Sequence, residues 1–135
     1  MGKARARSQT TTGLTLDAGA LIALDRGSRR LIALFAEALQ RGLSFRVPAG
    51  VVGQAWRDGT RQATLARFLA SDEVRVVPLD DLLSRASGEL CGNASTNDVI
   101  DASVVIVARQ HRDAIVTGDG TDLRRLDPTC RLIDI

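Results

Sequence analysis

Short apolar runs alternate with longer stretches of helical spacing along this chain, and that alternation narrows the folds open to it more than any other feature. Leu14, Thr15 and Leu16 form the first run, residues 44–47 the second, Val74, Val76 and Val77 the third, residues 114–117 the fourth and residues 132–133 the last. Between them, Leu21, Ile22 and Leu24 mark a helix over 18–25, and Leu31, Ile32, Leu34, Phe35, Ala38 and Leu39 repeat at helical spacing until Gly42. Val51, Val52, Ala55 and Trp56 follow Pro48 as a third helix, and Leu65, Phe68 and Leu69 mark a fourth. Residues 79–90 read as a helix, 92–96 as a loop of small residues, and 122–126 as a short segment. The clearest helix is 98–110, expected to bury Val99, Ala102, Val105, Ile106 and Ala108. Strands this short and apolar suit a sheet covered on both faces. The alternation therefore implies an α/β fold of three layers, a mostly parallel central sheet of about five strands flanked by helices.

A length of 135 residues fits one domain with a useful core. The basic, polar opening stretch is expected to be a flexible tail over 1–13, with the domain over 14–135; it lacks the apolar segment of a signal peptide. No apolar run approaches the roughly 18 residues that span a bilayer, so no membrane association is expected and the cytoplasm is the default location. Cys91 and Cys130 stand without CxxC spacing or a histidine cluster, which argues against a zinc site or a disulfide framework. A net charge of +2 does not announce a nucleic-acid binder by itself.

Four aspartates carry the chemistry. Ligands of open α/β sheets gather beyond the carboxyl ends of the strands. Asp17 follows the first strand directly, and Asp119 lies two residues beyond the strand over 114–117. Asp98 and Asp101 share one face of the first turn of the clearest helix. Acids there also suit the helix macrodipole, and Asp98 can be a cap. Two like charges about 4 Å apart repel by about 4 kcal/mol at an effective dielectric near 20, so protons or cations must relieve such a cluster. Oxygen ligands without histidine or cysteine select Mg²⁺ or Mn²⁺ over zinc. That combination serves metal-dependent phosphodiester hydrolysis by an activated water.

Three segments, residues 14–24 (LTLDAGALIAL), 96–103 (TNDVIDAS) and 115–123 (IVTGDGTDL), resemble the acidic motifs of PIN-domain ribonucleases, especially the VapC-type toxins of bacterial toxin–antitoxin pairs. The resemblance spans about residues 14–134. It implies a Mg²⁺- or Mn²⁺-dependent endoribonuclease, commonly a homodimer, that cuts single-stranded or looped RNA and is inhibited by a cognate antitoxin. Asp17, Asp101 and Asp119 match the family's metal-binding acids; Asp98 matches an additional acid of some members, and Asp122 lies at the edge. One position departs from the pattern: the glutamate usual after the second strand is replaced by Gln54. A glutamine can ligate through its carbonyl but adds no charge. The alternative is thus a catalytically weak PIN-like module that binds RNA or protein.

Beside this constellation, Arg57 and Arg61 are candidates to steer phosphate, although solvated helix charges are common. Trp56 at helical spacing reads as core or interface before it reads as an RNA-stacking platform, and His111 as exposed. A dehalogenase-type phosphotransferase needs an acid where this chain has Gly19, and a receiver domain needs a late lysine where Lys3 comes too early. An apolar groove on the two helices over 18–43 is the expected seat of a partner peptide.

Overall fold

The computed structural model describes residues 11–135. Five strands, β1 (Gly13–Leu16), β2 (Ser44–Pro48), β3 (Val74–Val77), β4 (Ala114–Thr117) and β5 (Leu132–Asp134), form one sheet in the order β3-β2-β1-β4-β5. Every pairing is parallel. Seven helices among the described residues connect them: α1 (Ala18–Asp25), α2 (Arg29–Gln40), α3 (Ala49–Ala55), α4 (Ala63–Ala70), α5 (Asp81–Ala94), α6 (Val99–His111) and α7 (Gly120–Leu126). The expected α/β class, layers and strand number hold.

Right-handed crossovers place α1 to α4 on one face, because β1, β2 and β3 step outward in one direction, and α5 to α7 on the other. The core follows from this. Leu14, Leu16, Phe45, Val47, Ile115 and Val116 are buried in the strands, with Leu21, Leu31 and Leu65 from one layer and Val104, Val105 and Leu123 from the other. Strand order reverses between β1 and β4, so the carboxyl ends of these two neighbours flank the switch point.

Local signals explain most boundaries. Ser28 caps α2 by accepting from the Leu31 amide, and Gly42, at φ 76°, closes it in the left-handed region that favours glycine. Three expectations need correction. Helix α5 continues through Gly92, Asn93 and Ala94, where a loop was expected, and stops only at Ser95 in the left-handed region. Cys91, buried one turn from its end, packs that last turn into the core, which outweighs weak helix formers. Val99 is 38% exposed, because α6 begins at the rim with its first residue turned outward. Within the expected tail, Gly13 opens β1, and the Thr12 hydroxyl donates to the His111 carbonyl at 2.6 Å. The remainder of the tail, residues 1–10, lies outside the described residues.

No helix among the described residues is long and apolar enough to cross a membrane.

Candidate active site

The switch point is built from two short loops folded against each other. Asp17 follows β1 and is 7% exposed. One carboxylate oxygen accepts from the Ala20 amide at 2.9 Å, capping α1. The other accepts from the Thr117 hydroxyl at 2.5 Å. Thr117, the buried last residue of β4, also accepts from the Asp119 amide at 2.8 Å. One hydroxyl thus joins the acid after β1 to the backbone after β4. Backbones must meet closely here, since a Cβ on Gly19 would stand 3.0 Å from the Gly118 Cα. Thr117 was missed in the sequence; its trace was a hydroxyl in an otherwise apolar strand, two residues before Asp119.

Helix α6 delivers the second pair. Asp98 is its cap, accepting from the Asp101 amide at 3.0 Å, so the capping role foreseen for it holds. Asp101, half-buried one turn in, has its pKa raised to about 7. Desolvation is the first cause, followed by the charge and side-chain hydrogen bond of Asp98 and the charges of Asp122 and Asp17. Burial also pushes Asp17 upward and Asp119 adds to it, against hydrogen bonds from Thr117, Ala20 and Gly118 that pull the other way. Asp17, Asp98, Asp101, Asp119 and Asp122 therefore share one field. None of the five belongs to an ion pair among the described residues.

Such a donor set fits a hard divalent cation in kind: oxygen ligands, excess negative charge and a carboxyl that holds its proton without a cation nearby. Among the described residues, no three acids are gathered into a ready-made cage. Asp17, Asp101 and Asp119, with Asp98 beside them, are the groups that would hold the ion.

The other candidates lie around this rim. A Cβ on Gly50 would overlap Ile100, the neighbour of Asp101, so α3 crosses the first turn of α6. Gln54, one turn along the same face of α3, is exposed and makes no hydrogen bond to the acids. Arg57 turns one guanidinium nitrogen back to the carbonyls of Gly53 and Trp56, at 2.9 and 2.8 Å. His111 is half-buried rather than exposed, with Nδ1 2.9 Å from the Val107 carbonyl, at the opposite end of α6 from Asp98 and Asp101. Trp56 is not a core residue; it is 36% exposed and outside both apolar clusters.

Neither a family model nor a curated protein matches this sequence. Solved structures do resemble its fold. VapBC2 from Rickettsia felis, bound to a DNA fragment from its promoter, aligns with a TM-score of 0.66 at 15% identity, over 90% of this chain and 98% of that chain. The fold is PIN-like. A toxin–antitoxin complex from Klebsiella pneumoniae aligns with a TM-score of 0.66 at 16% identity, over 91% of this chain and all of the other. FitAcB from Neisseria gonorrhoeae aligns at 0.64 and 15% identity, covering 90% and 96%. At such identities the PIN-like likeness is one of architecture, and chemistry rests on the residues of the rim.

Proposed function

We propose that this chain is a Mg²⁺- or Mn²⁺-dependent endoribonuclease of the toxin type, working in the cytoplasm and neutralised by a cognate antitoxin. The observation that carries the proposal is the convergence of Asp17, Asp98, Asp101, Asp119 and Asp122 in one field at the β1/β4 switch point, with none of them ion-paired among the described residues. The toxin–antitoxin complexes that share the fold favour the same assignment.

When bound, the cation supplies charge neutralisation for a phosphate and a water of lowered pKa. The chain's own contribution is placement. Thr117 and the Ala20 amide orient the Asp17 carboxylate, and the Asp98 cap fixes the first turn from which Asp101 projects. Asp101, its pKa raised to about 7 by burial and neighbouring carboxylates, would give up its proton to a cation held beside it.

For the antitoxin, an apolar groove of about 390 Å³ lies between α2 and α4, lined by Ile32, Phe35, Leu39, Phe45 and Phe68. Ile32 and Leu39 remain 47% and 44% exposed, an apolar stripe suited to a partner helix. A homodimer belongs to the same proposal.

Incubation of structured RNAs with Mn²⁺ tests the assignment. The wild type should cleave them and Asp17→Asn should not. Asparagine retains an oxygen for the Ala20 amide, so loss of activity with an unchanged melting curve points to chemistry rather than folding. Binding of RNA without cleavage by either protein would favour the non-catalytic module, for which the exposed, unengaged Gln54 is the motivating residue.

A further inference from the structure

The chain has four aromatic side chains, three phenylalanines and Trp56. Phe35, Phe45 and Phe68 pack on one another, with ring centroids 4.7 to 5.5 Å apart. Trp56 stands apart from them and from the core. Its position is nevertheless fixed. Gly59 lies against the indole, where a Cβ would come within 3.0 Å of Cζ2. Gln62 clamps the loop that carries both: its carbonyl accepts from the amides of Arg57 and Asp58 at 2.7 and 2.9 Å, and its Nε2 donates to the Ala55 carbonyl and to Asp25. A large aromatic ring held in place yet exposed to solvent is a prepared contact surface.

Charge and location indicate what it contacts. Arg57 and Arg61 both follow the indole in sequence; Arg57 turns one guanidinium nitrogen back to the Gly53 and Trp56 carbonyls, and the Arg61 side chain is 86% exposed, 3.7 Å from Asp58. Trp56 directly follows helix α3, which crosses the first turn of α6 at Gly50 and Ile100, beside Asp101. Trp56 lies six positions beyond Gly50, about 9 Å of helical rise, a reach of one or two nucleotides. The apolar groove suited to a protein helix lies elsewhere, around Phe35 and Phe68.

We propose that Trp56, with Arg57 and Arg61 beside it, is a stacking platform for an unpaired RNA base adjacent to the acidic rim. The inference rests on RNA being the substrate and adds where the strand lies. Every base has a stacking face, so the platform tolerates sequence and selects unpaired over paired RNA. Arg61, with its side chain in solvent, holds a neighbouring phosphate, and Arg57 adds positive charge beside it.

Because Trp56 is the only tryptophan, its emission reports the contact directly. The probe is an unstructured oligouridylate titrated into Asp17→Asn protein with Mg²⁺, so that the RNA stays intact. Saturable quenching is expected, with a matched RNA duplex quenching little. Labelled RNA should bind Trp56→Ala about tenfold more weakly or worse, and Trp56→Phe nearly as well as the parent. Absence of quenching, or unchanged affinity in a folded Trp56→Ala protein, overturns the platform. So does emission that shifts on dilution without RNA, which would assign the ring to a contact between copies. The two readings fail separately: quenching without Mn²⁺-dependent cleavage by the wild type removes the nuclease and keeps the platform, whereas Asp17-dependent cleavage with a KM indifferent to Trp56→Ala does the reverse.

Discussion

The two ends of the sheet treat buried acids in opposite ways. At the amino end, Asp113 precedes β4 with a side chain that is 0% exposed, and both carboxylate oxygens lie 2.8 Å from Arg46 Nη1. The Thr15 hydroxyl adds a bond at 2.8 Å. Nearby, Arg109 pairs with Asp127 at 3.0 Å in the wall of a cavity of about 670 Å³ that Asp113 also lines and none of the rim acids does. At the carboxyl end, Asp17 receives hydrogen bonds from Ala20 and Thr117 and Asp101 shares one with Asp98, but neither carboxyl is ion-paired among the described residues. The same residue type is a fold element where an arginine is paired with it and a functional candidate where no such partner stands among the described residues.

The largest expected effect lies at the balanced end. Arg46→Ala leaves the Asp113 carboxylate buried without its partner, and breaking a buried pair in this way costs about 3 to 5 kcal/mol. Urea denaturation should register that loss, and a change under 1 kcal/mol would mean that water reaches Asp113 after all. Next comes the metal. Mg²⁺ or Mn²⁺ should raise the melting temperature of the wild type, by an amount equivalent to about 2.7 kcal/mol at a hundredfold excess over Kd. Asp17→Asn and Asp101→Asn should blunt the shift, and an indifferent wild type in millimolar metal would remove the cation from the proposal.

Much of this contrast was legible in the sequence at one end and hidden at the other. Asp17 and Asp119 could be placed because a strand end is a local event, marked by the apolar runs before them. Asp113 drew no notice. Its partner Arg46 is 67 residues away and Thr15 is 98, so the pair exists only once β1, β2 and β4 lie side by side. Thr117 escaped for the same reason, since its bond to Asp17 joins strands 100 residues apart in the chain. The end of α5 was misplaced because Gly92 and Asn93 are weak helix formers whose position is set by packing of Cys91, a contact no local pattern records.

Opposite protonation behaviour gives a third way to separate the ends. Asp101 titrates near 7 in the fold against an ordinary value of 3.8, so the folded state binds the extra proton between those values. In EDTA, stability should therefore fall as pH rises from about 4 to 7 on account of this group. Asp127 has the other sign. Burial pushes its carboxyl up, but Thr129 and Arg109 outweigh that and hold it below 3.8, so its contribution is present at neutral pH and lost in acid. Asp101→Asn should raise the metal-free melting temperature at pH 8 by a few degrees, on the order of 3 °C, and flatten its descent above pH 4. A mutant that melts lower than the parent at pH 8 would show that Asp101 is already neutralised.

Gln54→Glu is expected to have the smallest effect on the fold and the most informative one on the rim. The side chain is exposed and makes no hydrogen bond to the acids, so stability should move by no more than about 0.5 kcal/mol. Its helix crosses the first turn of α6, so a carboxylate there would add to the field that already raises Asp101. Two outcomes are distinguishable by titrating the metal-induced melting shift in both proteins. Tighter apparent affinity for Mn²⁺, with faster cleavage, would place residue 54 within reach of the cation and identify the missing charge as a limit on activity. Equal affinity and rate would mean that α3 keeps this residue outside the site, and that Asp98, cap of α6 and neighbour of Asp101, already supplies the charge that Gln54 lacks.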